Sequence, residues 1–281
     1  MPQSADEKAQ MERWSKRYPL GQAKIMLEIE RRVCGCDYGG TSWATRQEVE
    51  DIAELLELAP GRRLLDIGAG TGWPALYWAL RTGCDVVLAD IPVAALRVAA
   101  QRAAADALSG GCWTVAAEGA SLPFPPGSFD SVSHSDVLCC LEAKLSTLDE
   151  CRRVIRAGGR MVFTVIFPAL NLRSADHELA VEFGPPFVAT ATDYPTMLCE
   201  TGWVIMQHRD LTADYGKAVR RLLSEEEAQA EALSELYGEA EFSETLTRRR
   251  MTADVIGKGF LRRELFAVVP DPGIRRFCRQ R

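Results

Sequence analysis

Apolar positions follow two alternating rhythms along the chain. Short β-rich runs fall at 62–67 (RRLLDI), 85–89 (DVVLA), 113–116 (WTVA), 129–133 (FDSVS) and 160–167 (RMVFTVIF), and stretches of helical spacing separate them at 74–81, 93–108 and 143–156. Strands that are apolar throughout and alternate with helices predict an α/β fold, a doubly wound, mostly parallel sheet with helices on both faces. A sixth strand at 203–208, after a short helix at 194–201, and a seventh at 260–269 bring the sheet to seven strands. Upstream, 5–33 is charged and helix-favouring, and Tyr18-Pro19-Leu20-Gly21 predicts a break into two helices. A loop at 34–43 follows, then a helix at 44–58 that Pro60-Gly61 stops. The segments 168–193 and 211–257 fall outside the alternation and, with the amino-terminal helices, predict a helical cap. The expected division is 1–58 (helices and lid), 59–167 (ligand-binding core), 168–257 (remaining core elements with cap insertions) and 258–281 (last strand and tail).

With 47% hydrophobic and 26% charged residues among 281, the chain has the composition of a globular protein with a sizeable core. Its net charge of −6 opposes binding to a phosphate backbone, so nucleic acid is not an expected partner. The longest apolar run, 161–170, is far shorter than the ~20 residues that span a bilayer, and the polar start (MPQSADEKAQMERW) lacks a secretory core. A cytoplasmic location is the expectation. Nine cysteines without a CxxC pair or zinc-like spacing predict free thiols and no metal site.

The candidate chemistry begins at Leu64, with LLDIGAGTG: an apolar strand, Asp66, then Gly68, Gly70 and Gly72 entering a helix. In a doubly wound sheet this turn lies at the carboxyl edge, where ligands approach bare backbone. A dinucleotide fingerprint needs a glycine at the third position after Gly70, but that position holds Trp73, followed by Pro74; no G-K-[ST] of a phosphate loop follows either. Asp90 ends the second strand, placed to accept from ribose hydroxyls; Glu118 follows the third strand, placed near an adenine edge; Asp66 can accept from an ammonium group. Three carboxylates without a lysine suit a ligand carrying a sulfonium and an amino acid, which favours S-adenosylmethionine over any phosphate-bearing cofactor. The plainer readings are helix caps for Asp66 and Asp90 and solvated surface for Glu118.

LLDIGAGTG, Asp90, the run EGASLPFPPGSFD from Glu118 to Asp130, and RRVIRAGGRMVF from Arg152 to Phe163 together resemble the class I S-adenosylmethionine-dependent methyltransferases, in the branch of quinone-biosynthesis and other small-molecule enzymes. The resemblance covers about 64–167. It implies a methyltransferase acting on a small-molecule acceptor. Asp66, Gly68 and Gly70 would face the methionine part, Asp90 the ribose, and Glu118 with Gly119 the adenine, Glu118 standing where the family usually has Asp. Ala69, Gly72, Ile91, Ala120, Ser133 and Ser135 complete the expected donor-binding set.

On the acceptor side, Ser133, His134, Ser135 and Asp136 are expected at the carboxyl edge of the fourth strand, with His134 and Asp136 as candidate catalytic groups; His134 as hydrogen-bonded scaffold is the plainer alternative. Where many relatives carry a histidine shortly afterwards, this chain has Cys139-Cys140. Tyr38, in GCDYGGTSWAT, is the third candidate, because that loop resembles the lid of phosphoethanolamine-type methyltransferases; Trp14, Tyr18 and Trp43 read as lid packing. His177, Asp193 and Tyr194 are further candidates for substrate contact. Arg248-Arg249-Arg250 reads either as a grip for an acidic acceptor or as a salt-bridged helix face. Two alternatives stay open: a phosphobase N-methyltransferase, and a regulatory protein that binds S-adenosylmethionine without turnover.

Overall fold

The computed structural model describes residues 4–40 and 42–273, so Cys278 and the end of the expected 258–281 tail lie outside the described residues. In chain order the elements are α1 (Ala5–Gly21), α2 (Lys24–Cys34), α3 (Arg46–Leu55), β1 (Arg63–Ile67), α4 (Ala75–Thr82), β2 (Asp85–Asp90), α5 (Val93–Ala105), β3 (Cys112–Ala116), β4 (Phe129–Ser135), α6 (Lys144–Val154), β5 (Ile155–Pro168), α7 (Ser174–Phe183), α8 (Tyr194–Glu200), β6 (Trp203–Asp210), α9 (Thr212–Ala228), α10 (Ala230–Tyr237), α11 (Glu239–Gly257) and β7 (Leu261–Pro270).

The seven strands form one sheet in the order β3-β2-β1-β4-β5-β7-β6. The first five run parallel, and β7 is antiparallel to both β5 and β6. Strand order reverses between β1 and β4, and in such sheets the crevice outside the carboxyl ends at the reversal is where ligands bind. The central strands read as unbroken apolar runs because both faces are covered. Leu65, Ile67, Val87 and Val132 pack into the core on one face, and Leu64, Val86, Leu88 and Val162 into the core on the other.

The helices outside the alternation pack on one another. Arg32 of α2 donates to Glu225 of α9 (2.8 Å), Tyr237 of α10 reaches Met26 of α2 (Oη–Sδ 3.4 Å), and Thr252 of α11 donates to the Phe183 carbonyl at the end of α7 (2.9 Å).

Two boundaries depart from the sequence reading with consequences for the site. The stretch 5–33 is two helices as expected, but the break falls at 22–23, because α1 carries Pro19 in its last turn and ends at Gly21. In the last turn proline forgoes one intrahelical hydrogen bond. Strand β4 does not end at Ser133: His134 and Ser135 pair in register with Phe163 and Thr164 of β5, so they belong to the sheet.

Candidate functional site

The loop after β1 forms one end of a cavity of about 490 Å³, within the ~300–1,000 Å³ of small-molecule sites. Gly68, with φ at +66°, and Gly70, at +53°, adopt a left-handed backbone that non-glycine residues rarely take. A Cβ on Gly68 would lie 2.5 Å from Val137 Cγ2, so the loop is as close to its neighbours as bare backbone allows. Over Gly70 stands Tyr18, whose hydroxyl would be 3.2 Å from an added Cβ.

Asp90 is built into this loop. The Gly70 amide donates to its Oδ2 and the Ile91 amide to its Oδ1, both at 2.7 Å. Burial raises its pKa to about 6, against the opposing pull of these two amides. Asp66 lies deeper at 2% exposure, and burial first, then the Asp90 charge, raise it well above the usual carboxylate range. Among the described residues no hydrogen-bond donor or cation is paired with the Asp66 carboxylate. Glu118, Gly119 and Ala120 line the same end after β3, in a turn closed by a bridge from Glu118 to Ser121. The hydroxyl of Thr71, also on the cavity wall and near Gly40, is buried without a hydrogen-bond partner.

At the sheet edge Ser135 and Asp136 line the cavity, but Asp136 is not free to act as a base. Both of its oxygens accept from Arg263 Nε (3.0 and 2.9 Å), whose other nitrogens donate to both oxygens of Glu48 (2.8 and 2.7 Å) and to Thr164 (3.2 Å). Arg263 is 1% exposed, so β7 delivers a buried guanidinium that bridges two carboxylates, from α3 and the β4 edge, with its single charge.

His134 is a correction. Because it belongs to β4, its ring does not reach the cavity; it stacks on Phe163 at 4.6 Å, both ring nitrogens are without partners, and burial lowers its pKa to about 3. Tyr38 is another: its ring sits between Trp73 (5.2 Å) and the Arg102 guanidinium (4.3 Å), 6% exposed and off the cavity wall. Tyr18, Trp14 and Trp43 line the wall instead. Gly72 and Ser133 also lie off it: a Cβ on Gly72 would meet Leu76 Cδ1 at 2.4 Å, so that glycine lets α4 start close, and Ser133 is a strand residue paired with Asp66. His177 is exposed, Asp193 caps α8, and Tyr194 is buried among Phe163, Phe167 and Phe266.

The arginine run splits into three environments. Arg248 lines the cavity and donates to the Gly184 carbonyl (3.1 Å); Arg249 pairs through two hydrogen bonds with Glu226 (3.1 and 3.0 Å); Arg250 pairs with Glu227 at the surface. The eight described cysteines are free, and among the described residues no group is arranged to hold a metal ion and no helix is long and apolar enough to cross a membrane.

The donor set fits S-adenosylmethionine on these observations. The buried Asp66 and the half-buried Asp90 beside it face no cation, a backbone cradle admits no side chain, and the Thr71 hydroxyl lacks a partner. Comparison with known proteins agrees. Residues 65–163 match the methyltransferase domain family. The chain is 30% identical over 186 residues to the demethylmenaquinone methyltransferase of Clavibacter sepedonicus, covering 58% of this chain and 74% of that protein. It is 28% identical over 175 residues to 24-methylenesterol C-methyltransferase 2 of Oryza sativa subsp. japonica, a match covering 60% of this chain and 48% of that protein, so the chain spans about half the length of this relative. The fold superposes with a TM-score of 0.70 on geranyl diphosphate C-methyltransferase from Streptomyces coelicolor, solved with Mg2+, geranyl diphosphate and S-adenosyl-L-homocysteine, at 15% identity over 96% of this chain and 100% of that one. The chain belongs to the class I S-adenosylmethionine-dependent small-molecule methyltransferases.

Proposed function

We propose that the chain transfers the methyl group of S-adenosylmethionine to an O, N or C atom of a small, largely apolar acceptor held between the glycine loop and the helices α1, α2, α9 and α11. The observation that carries this reading is Asp90, held by the Gly70 and Ile91 amides on the wall of a cavity that also includes Met11, Trp14, Met26 and Leu222, with the buried Asp66 carboxylate behind it and off the wall. When bound, S-adenosylmethionine supplies an electrophilic methyl on a positively charged sulfur. Asp66 accepts from its ammonium group and the backbone of Gly68, Ala69 and Gly70 receives the methionine part. Asp90 accepts from the ribose beside Ile91, and Glu118, with Gly119 and Ala120, faces the adenine amine. Ser135 and the backbone of Asp136 border the reacting end.

With His134 off the wall and Asp136 clamped by Arg263, no side chain at this edge is poised as a strong base. Displacement at a sulfonium does not require one: holding donor and acceptor in line can supply up to ~7–11 kcal/mol of the acceleration. Calorimetric titration with S-adenosylhomocysteine tests the donor assignment. The expected result is saturable binding by the native chain and affinity roughly tenfold or more weaker for Asp90→Ala, the equivalent of one hydrogen bond to a charged group. Heat from NADH and none from S-adenosylhomocysteine overturns the reading.

A further inference from the structure

Opposite the acidic donor end, the helical wall carries unbalanced positive charge. Arg13 and Arg17 of α1 and Arg248 of α11 line the cavity, and none of them forms an ion pair among the described residues. Arg249 is already neutralised by Glu226, with side-chain exposures of 12% and 6%. The Arg17 guanidinium stands 6.0 Å from the centre of the Trp14 ring, on an exposed residue at the rim of this wall. Two further acids on this wall accept from backbone amides, which carry no countercharge. Glu7 accepts from the Ser4 amide (2.9 Å) in the α1 cap, and Glu30 accepts from the amides of Gly39 and Gly40 (2.6 and 3.2 Å). Arg13, Arg17, Arg248 and Arg249 set against Glu7, Glu30 and Glu226 therefore leave one net positive charge on the helical wall, facing a space lined by Met11, Trp14, Met26 and Leu222.

We propose, resting on the methyl-donor reading above, that the acceptor is an amphipathic carboxylate whose anionic group pairs with Arg17 while its apolar body lies along this wall. A single net charge matches a monoanion, and the planar guanidinium fork matches a carboxylate. A phosphate monoester dianion would call on Arg248 as well, and that side chain is turned to the Gly184 carbonyl at the α7 end of the wall.

The test uses the full chain saturated with S-adenosylhomocysteine at about pH 7.5, where carboxylic acids are ionised, and titrates it with decanoate, decan-1-ol and decyl phosphate. Decanoate is expected to bind about tenfold to hundredfold more tightly than decan-1-ol, the range for a hydrogen bond to a charged partner. Arg17→Gln brings that ratio close to one, and Arg17→Lys restores part of it. A general loss of structure weakens acid and alcohol alike and leaves their ratio unmoved, so the ratio reports on the charge. Equal binding of acid and alcohol by the native chain, or a ratio unchanged in Arg17→Gln, overturns the proposal; decyl phosphate binding more tightly than decanoate overturns the carboxylate assignment. Failure of S-adenosylhomocysteine to bind removes the donor reading itself, whereas its binding without any preference for the acid removes only the subsite.

Discussion

Donor affinity should fall as the pH drops below 6, and Asp90 sets the midpoint. Its carboxylate sits at a pKa of about 6 because burial outweighs the two amides at 2.7 Å. A ligand hydroxyl donating to it finds a strong acceptor only while it is ionised. With that midpoint the ionised fraction is ~97% at pH 7.5 and ~9% at pH 5, so the apparent affinity falls roughly tenfold, or ~1.4 kcal/mol, between them. In the empty protein the same shift opposes folding. The unfolded carboxyl releases its proton near 3.8 and the folded one near 6, so in between the folded state binds more protons and stability falls as pH rises. The full penalty, about 3 kcal/mol, is reached above pH 6 and vanishes below 4. Donor binding offsets that penalty. Calorimetry with S-adenosylhomocysteine from pH 5 to 8, on the native chain and Asp90→Asn, reads the effect directly. The native dissociation constant should rise about tenfold from pH 7.5 to 5, while the asparagine variant binds weakly with a flatter profile. A flat native profile, or an undiminished slope in Asp90→Asn, refutes the assignment of the proton to Asp90.

Arg263→Met leaves Glu48 and Asp136 buried without their shared cation and should cost about 3–5 kcal/mol in urea unfolding; a loss under ~1 kcal/mol contradicts the clamp. Gly61→Ala, at φ +79° with open space around it, should lose only the ~1–2 kcal/mol of left-handed strain, whereas Gly68→Ala, at +66° and 2.5 Å from Val137 Cγ2, should lose more and weaken S-adenosylhomocysteine binding; equal losses would mean the loop has room to spare. His134→Leu replaces two unpaired ring nitrogens with hydrocarbon and should leave the protein as stable or up to ~1–3 kcal/mol more so. Its turnover should stay within about threefold, since removal of a true general base loses about 100-fold or more, and a loss of that size would return His134 to the chemistry.

What could be read in advance was whatever the chain builds from neighbours in sequence. The parallel sheet announced itself because Leu64, Leu65, Val86, Val87 and Leu88 are apolar in succession, as strands buried on both faces must be. The glycine loop, Asp90 and the turn at Glu118 each follow a strand directly, so placing the strand placed the residue. His134 failed on the same logic with the boundary off by two: a strand extended from Ser133 to Ser135 turns a residue of the crevice into one of the core, since faces alternate at every position. The lid-like loop marked Tyr38, whereas α1, which ends at Gly21, carries Tyr18 across Gly70, a contact that nothing local to either segment signals.

No local signal marks contacts made by sheet closure. Arg263 meets Asp136 and Glu48 across 127 and 215 residues of chain. The acceptor wall belongs to this second kind, because Arg17 and Arg248 reach one cavity from opposite ends of the sequence. Donor and acceptor recognition are thus written in different ways, the first in one strand-turn-helix segment and the second in the packing of distant helices. Exchanging α1 and α11 side chains should therefore change which acceptor is held while leaving the donor end, built on β1, β2 and their loops, as it is.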